Sequence, residues 1–177
     1  MRIENTFDIP LPPAAAWLEL MDIAKTAACF PGASQVEATG PDDYKGRVTI
    51  KLGPLAMIFT GKLHLESRDD VAHSANVKAQ WTETKGRGNA LTATHFSLQA
   101  QDTGTRVVLQ SDLQLAGQVA QYGRGVGMIS AISAQLIATF AENLRARIHA
   151  SGEPAPAAGE ISGLTLIARA LGRRLKP

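Results

Sequence analysis

The chain has 177 residues, 45% of them apolar, enough for one domain with a sizeable core and some chain to spare. A single cysteine, Cys29, excludes an intrachain disulfide, and no uncharged apolar run approaches the length of about 18 residues that a membrane-spanning helix needs. The net charge of +2 is unevenly spread: acids and bases cancel over residues 1–150, which argues against nucleic-acid binding by the body, whereas residues 161–177 carry four bases and no acid.

In chain order, Ile3–Ile9 reads as a short strand ended by Pro10, Pro12 and Pro13, with Pro13 suited to open a helix. Ala14–Leu20 and Asp22–Ala28 are expected as two short helices, the second capped by Asp22, and Phe30-Pro31-Gly32 as a turn. From Ser34 to Gly117 the pattern alternates with period two. Ser34–Thr39, Tyr44–Leu52, Leu55–Leu65, Ala75–Trp81, Leu91–Gln99 and Val107–Leu115 follow one another across short turns at Gly53-Pro54, Asp69-Asp70, Gly86-Arg87-Gly88 and Gln101–Gly104. That is the signature of an antiparallel meander. After Gly117 the step becomes three or four: Tyr122, Val126, Ile129, Ser133, Leu136, Phe140, Leu144 and Ile148 predict one amphipathic helix of about 30 residues, about 45 Å long.

A strand, two short helices, about six meander strands and a long final helix are the order of the helix-grip fold. The expected architecture is α+β, a curved antiparallel sheet wrapped around the long C-terminal helix with an internal apolar cavity between them. Only 5% of residues are aromatic, and the helix carries Gly123, Gly125, Gly127, Ala131, Ala134, Ala138 and Ala141. Two readings stand: the small residues allow close packing, or they leave room for a ligand. Candidate pocket residues are Val48, Ile50, Leu52, Met57, Phe59, Val77, Trp81, Phe96, Leu109, Leu113, Tyr122, Val126, Ile129, Ser133, Leu136, Ile137 and Phe140, many of them plain core.

Catalytic constellations are sparse. His64, His73, His95 and His149 have no ligand-spaced partners, and the strand alternation turns His64 and His95 away from the pocket. Thr92, Thr94, Ser111 and Ser133 can face inward, but no base stands beside them and no paired carboxylates fall on the inward face. Cys29 reads as a small buried residue. Gly123-Arg124-Gly125-Val126-Gly127 lacks the lysine of a phosphate loop and the spacing of a dinucleotide fingerprint; Arg124 reads as a solvated arginine or as a contact at the pocket mouth. No catalytic or metal-binding residue is assigned, and no covalently bound cofactor is expected.

Three segments are expected: a domain over 1–150, a Pro/Ala/Gly linker over 151–160 and a basic amphipathic helix over 161–177. On that helix Ile161, Leu164, Ile167, Ala168, Leu171 and Leu175 share an arc of about 120°, with Arg169, Arg173, Arg174 and Lys176 off it and Leu166 breaking the division. An apolar stripe with basic flanks fits an anionic membrane surface, contacted by Ile161, Leu164, Ile167, Arg169, Leu171, Arg173, Arg174, Leu175 and Lys176. Docking in a partner's groove or on the domain itself remain alternatives.

Lys45-Gly46-Arg47-Val48, Lys51-Leu52-Gly53-Pro54 with Phe59 and Gly61, and Gly86-Arg87-Gly88-Asn89-Ala90 together resemble the G-subunit family of carbon monoxide dehydrogenase. So do Pro31-Gly32-Ala33, Gly104-Thr105, Gly117 and Ala120-Gln121-Tyr122-Gly123-Arg124-Gly125. The resemblance covers roughly residues 1–148, and Lys51, Gly53, Pro54, Phe59, Gly61, Gly88, Gln121, Gly123 and Arg124 are its pattern positions. It implies a START-like fold and an accessory protein, not an enzyme. Such a protein carries a lipophilic ligand, a respiratory quinone or another lipid. It serves a molybdenum hydroxylase-type carbon monoxide dehydrogenase at the inner face of the cytoplasmic membrane. A cyclase or hydrolase of the same superfamily, and an assembly factor that binds only protein, are the rival expectations.

Overall fold

The computed structural model describes residues 1–52, 55–122 and 126–152. The turn Gly53-Pro54, the segment Gly123–Gly125 with Arg124, the linker beyond Gly152 and the whole 161–177 helix lie outside the described residues. The chain divides into two units, Met1–Ala146 and Arg147–Pro177.

Strand β1 (Arg2–Ile9) is followed by α1 (Pro13–Met21), α2 (Ile23–Ala27) and β2 (Ala33–Ala38). The meander continues as β3 (Asp43–Leu52), β4 (Leu55–Asp69), β5 (Ser74–Glu83), β6 (Gly88–Gln101) and β7 (Gly104–Gly117). Helix α1 starts at Pro13, whose missing N–H costs nothing in a first turn. The Asp22 side chain accepts from the Lys25 backbone N–H and caps α2. All seven strands form one antiparallel sheet in the order β1-β7-β6-β5-β4-β3-β2. Register shifts between Ser34 and Glu37 and between Leu65 and Ser67 break the β2–β3 and β4–β5 ladders; such bulges bend a strand.

Of the predicted long helix, the described residues form α3 (Val119–Tyr122) and α4 (Val126–Gly152), on either side of the segment outside the description. Helix α4 has 27 residues, about 40 Å. It also takes in Ser151 and Gly152, expected as linker, and the Ser151 hydroxyl donates to the Arg147 carbonyl at 2.9 Å.

Register puts Ile3, Asn5, Phe7 and Ile9 of β1 on the same sheet face as Thr105, Val107, Leu109, Ser111, Leu113 and Leu115 of β7. Cross-strand pairing carries that concave face through Thr92, Thr94 and Phe96 to Ala75, Val77, Ala79, Trp81 and Glu83, then to Phe59, Gly61, Leu63 and Leu65. Ile3, Phe7, Ile9, Val107, Phe96 and Ala75 are buried with Ala16, Trp17 and Leu20 of α1. Phe140 of α4 closes this core, its ring edge-on to Phe7 at 5.5 Å and tilted against Phe30 at 6.2 Å. Trp17 stacks on Phe96 at 5.9 Å and donates to Asp70 at 2.9 Å. A second, smaller core joins Met57, Phe59 and Val119, with Ile50, Trp81 and Leu115 packed against it.

The two halves of α4 differ. Phe140, Ala141 and Leu144 are buried, the Asn143 side chain donates to the Cys29 carbonyl at 2.9 Å, and the Arg145 Nε donates to the Asp8 carbonyl at 3.0 Å. Between Gly127 and Thr139 no residue is fully buried, and Met128 is 54% exposed. Leu144→Ala, at a fully buried site, is therefore expected to cost about 2–5 kcal/mol in urea denaturation. Ile137→Ala, two turns earlier, is expected to cost only about 1 kcal/mol.

Candidate functional site

Between the two cores the concave face stays incompletely covered. Ile50, Val77, Trp81, Leu109 and Leu113 on the sheet are half-buried, as are Ile129, Ser133, Leu136 and Ile137 on α4. Steps of seven and fourteen residues from the buried Phe140 and Leu144 put Ser130, Ser133 and Ile137 on the helix stripe that faces the sheet. Ile129 and Leu136 sit to one side of it. These half-buried side chains outline a candidate groove, with an apolar sheet wall and a helix wall of mixed character.

The predicted pocket residues separate accordingly. Ile50, Val77, Trp81, Leu109, Leu113, Ile129, Ser133, Leu136 and Ile137 border the groove. Val48, Met57, Phe59, Phe96 and Phe140 are buried in the two cores and act as its ends rather than its lining. Leu52 ends β3, Tyr122 ends α3 and Val126 begins α4. Alternation identifies the face a residue takes, but not whether the helix then covers it.

Polar groups cross this face. The Asn5 side-chain amide donates to the Ser133 hydroxyl at 2.9 Å, tying β1 to α4. Thr94 and Ser111, opposite one another on β6 and β7, share a hydrogen bond at 2.9 Å. Asn5 and Ser130 were not among the expected site residues. Asn5 interrupts the Ile3, Phe7, Ile9 series at an inward position, a signal that alternation alone carries.

Glu83 was also missed, although it continues the series Ala75, Val77, Ala79, Trp81. It is 1% exposed at the inward end of β5. Its carboxylate accepts from the Arg87 Nη2 at 2.7 Å and from the backbone N–H groups of Lys85 and Arg87 at 2.8 and 3.2 Å. Arg87 reaches the Ala56 carbonyl at 3.4 Å, and its own carbonyl accepts from the Val119 N–H at 3.1 Å. The clamp thus joins the start of β4, the β5–β6 turn and α3. First through the Arg87 side chain, then through the turn N–H groups and against burial, the Glu83 carboxyl is lowered from 4.5 to about 2. A carboxylate this acidic and fully engaged is a poor proton acceptor and no proton donor near neutrality. Its contribution to stability is complete above pH 4.5 and is lost as pH falls through about 2. Glu83→Gln is therefore expected to unfold at lower urea than the parent at neutral pH. The gap between the two should close as pH is lowered from 4.5 towards 2.

Two of the pattern positions acquire a physical reason. A Cβ on Gly61 would overlap the Trp81 ring and the Gln80 carbonyl, so glycine lets the indole lie flat on β4 at the edge of the groove. Gly88, with φ +147°, would drive a Cβ into the Ala116 carbonyl and to 3.0 Å from Val119. Lys51 and Gln121 are exposed.

The remaining candidates lie elsewhere. His64 bonds to Asp43 at 2.9 Å and His95 to Asn76 at 3.0 Å, both exposed on the outer sheet face as alternation predicts. Cys29 is buried. A depression of about 150 Å³ is lined by Arg2, Asn76, His95, Gln110 and Asp112, whose side chains register turns away from the groove, and also by Val77 and Thr94 of the same strands. Among the described residues no group of three or more His, Cys, Asp or Glu side chains could hold a metal ion, and no helix is long and apolar enough to cross a membrane.

The sequence matches the family model for the carbon monoxide dehydrogenase G-subunit (CoxG) over residues 6–149. No curated protein matches it. Among solved structures it is similar to a conserved protein from Geobacillus kaustophilus, with 18% identity, a TM-score of 0.74, and coverage of 85% of this chain and 97% of that one. It is also similar to the ZhuI aromatase/cyclase from Streptomyces sp. R1128, at 16% identity and TM-score 0.60, covering 86% and 98% of the two chains. A START superfamily protein from Mycobacterium smegmatis gives 12% identity and TM-score 0.60, with 84% and 97% covered. At these identities the likeness establishes the START-like helix-grip fold and nothing of activity. The family model, by contrast, spans most of the sequence, and the chain belongs to the carbon monoxide dehydrogenase G-subunit (CoxG) family.

Proposed function

We propose that this protein is a non-catalytic accessory of a molybdenum hydroxylase-type dehydrogenase, which takes a lipophilic ligand, a respiratory quinone, into the groove under α4 and works at the inner face of the cytoplasmic membrane. The observation that carries the reading is the unequal packing of α4. Its second half is locked into the core, while the first half and the sheet opposite keep apolar side chains half-buried. Apolar surface left accessible between two packed cores is stabilised by an apolar occupant, at about 25 cal/mol per Å² covered.

Family membership supports the dehydrogenase as partner, and the basic stripe of 161–177 supports the membrane surface. Glu83, the buried charged side chain on the concave face among the described residues, is held in a clamp, which favours binding over acid–base chemistry. Solvent extraction of protein purified from quinone-containing cells, followed by mass spectrometry, tests the reading. An isoprenoid quinone near one equivalent is expected. Protein that extracts clean from such cells, and stays clean after incubation with quinone-loaded vesicles, overturns it.

A further inference from the structure

The groove is apolar along the sheet except at one place. There Ser133 of α4, Asn5 of β1, Ser111 of β7 and Thr94 of β6 stand in a row across it. Ile3 pairs with Ser111 and Asn5 with Leu109, so Asn5 and Ser111 are diagonal neighbours, about 7–8 Å apart. Thr92, half-buried two residues along β6, and Ser130, one turn earlier on α4, widen the same strip. Val77, Leu109 and Leu113 flank it.

The strip has hydrogen-bonding capacity left over. Thr94 and Ser111 bring two O–H donors to a single shared bond, so one donor remains. Asn5 uses one amide N–H on Ser133 and keeps the other, together with its carbonyl oxygen. Among the described residues these spare groups bond to no other side chain, and each is half-buried on an apolar face, where water is poorly supplied. Every member is neutral. A phosphate, carboxylate or ammonium would meet no opposite charge here, whereas an uncharged carbonyl or hydroxyl oxygen would find donors and lose little solvation.

We infer that the Ser133–Asn5–Ser111–Thr94 strip is the subsite that fixes the oxygen-bearing end of the ligand, and that the groove selects uncharged, oxygen-headed lipids over hydrocarbons and over ionised lipids. The inference rests on the carrier reading and specifies its ligand. The apolar remainder of the ligand lies along the flanking aliphatic side chains, and the strip sets which end goes where.

Calorimetry on the full chain with three probes tests it: a naphthoquinone bearing two isoprene units, the naphthalene with the same side chain and no oxygen, and palmitate. The parent is expected to bind the quinone about tenfold more tightly than either of the others. In Thr94→Val/Ser111→Ala both partners of one bond become apolar at nearly constant shape, so the fold should hold while discrimination between quinone and hydrocarbon collapses. Ser133→Ala, made separately, should weaken quinone binding several-fold and leave hydrocarbon binding unchanged. If the parent binds quinone and hydrocarbon equally, binds palmitate best, or keeps its discrimination in both variants, the strip is not the subsite while the carrier reading stands. Binding of none of the probes overturns the carrier reading itself.

Discussion

Ile137→Trp is expected to abolish ligand binding without unfolding the protein. Ile137 lies on the sheet-facing stripe of α4, one turn before Phe140, yet it is only half-buried. In a filled core the larger indole would cost about 1–3 kcal/mol in strain. Over an open groove it should occupy the space the ligand needs. Displacing about 100 Å² of ligand contact corresponds to about 2.5 kcal/mol, close to a hundredfold in affinity. Quinone titration and thermal melts of the same preparation read both halves of the expectation. A large fall in melting temperature with unchanged binding would place the ligand elsewhere and the side chain in a packed interior.

Deleting residues 161–177 is expected to release the protein from anionic vesicles. Arg169, Arg173, Arg174 and Lys176 each contribute about 1 kcal/mol near an anionic leaflet, so the loss in partition reaches up to about a thousandfold. Added salt should mimic the deletion in part, because surface charges are screened beyond about 8–10 Å at physiological ionic strength. Flotation with phosphatidylserine-containing vesicles checks this. Equal flotation of the full and shortened chains would assign the stripe to a protein partner or to the domain itself. Quinone binding should survive the deletion, since the side chains assigned to the groove all precede residue 138.

The architecture was legible because period-two alternation survives in almost every strand and the change to a helical period after Gly117 is sharp. The meander from β2 to β7, the hairpin turns at Asp69-Asp70 and Gln101–Gly104, the cap at Asp22 and the outward His64 and His95 follow from local rules that the sheet does not override, whereas the pairing of β1 with β7 joins distant segments. What local pattern could not supply is depth. Phe96, Phe140, Met57 and Phe59 look like Val77, Leu113 and Ile137 in the sequence, yet the former are sealed and the latter border a groove. The difference arises where Phe140 meets Phe7 and Phe30, Phe96 meets Trp17, and Met57 and Phe59 meet Val119, all contacts between distant segments. Glu83 was missed for a related reason. An inward carboxylate conflicts with burial until Arg87 and the turn N–H groups are brought round to it, which only the closed β5–β6 turn does.

The groove itself is tested most directly by methyl NMR of the full chain titrated with a short-chain quinone. Saturable shifts are expected for Ile137, Leu113, Leu109 and Val77, with Leu144, Ile9 and Met57 unmoved. Shifts absent from the groove methyls, or spread evenly over the protein, would contradict an oily ligand held between α4 and the sheet.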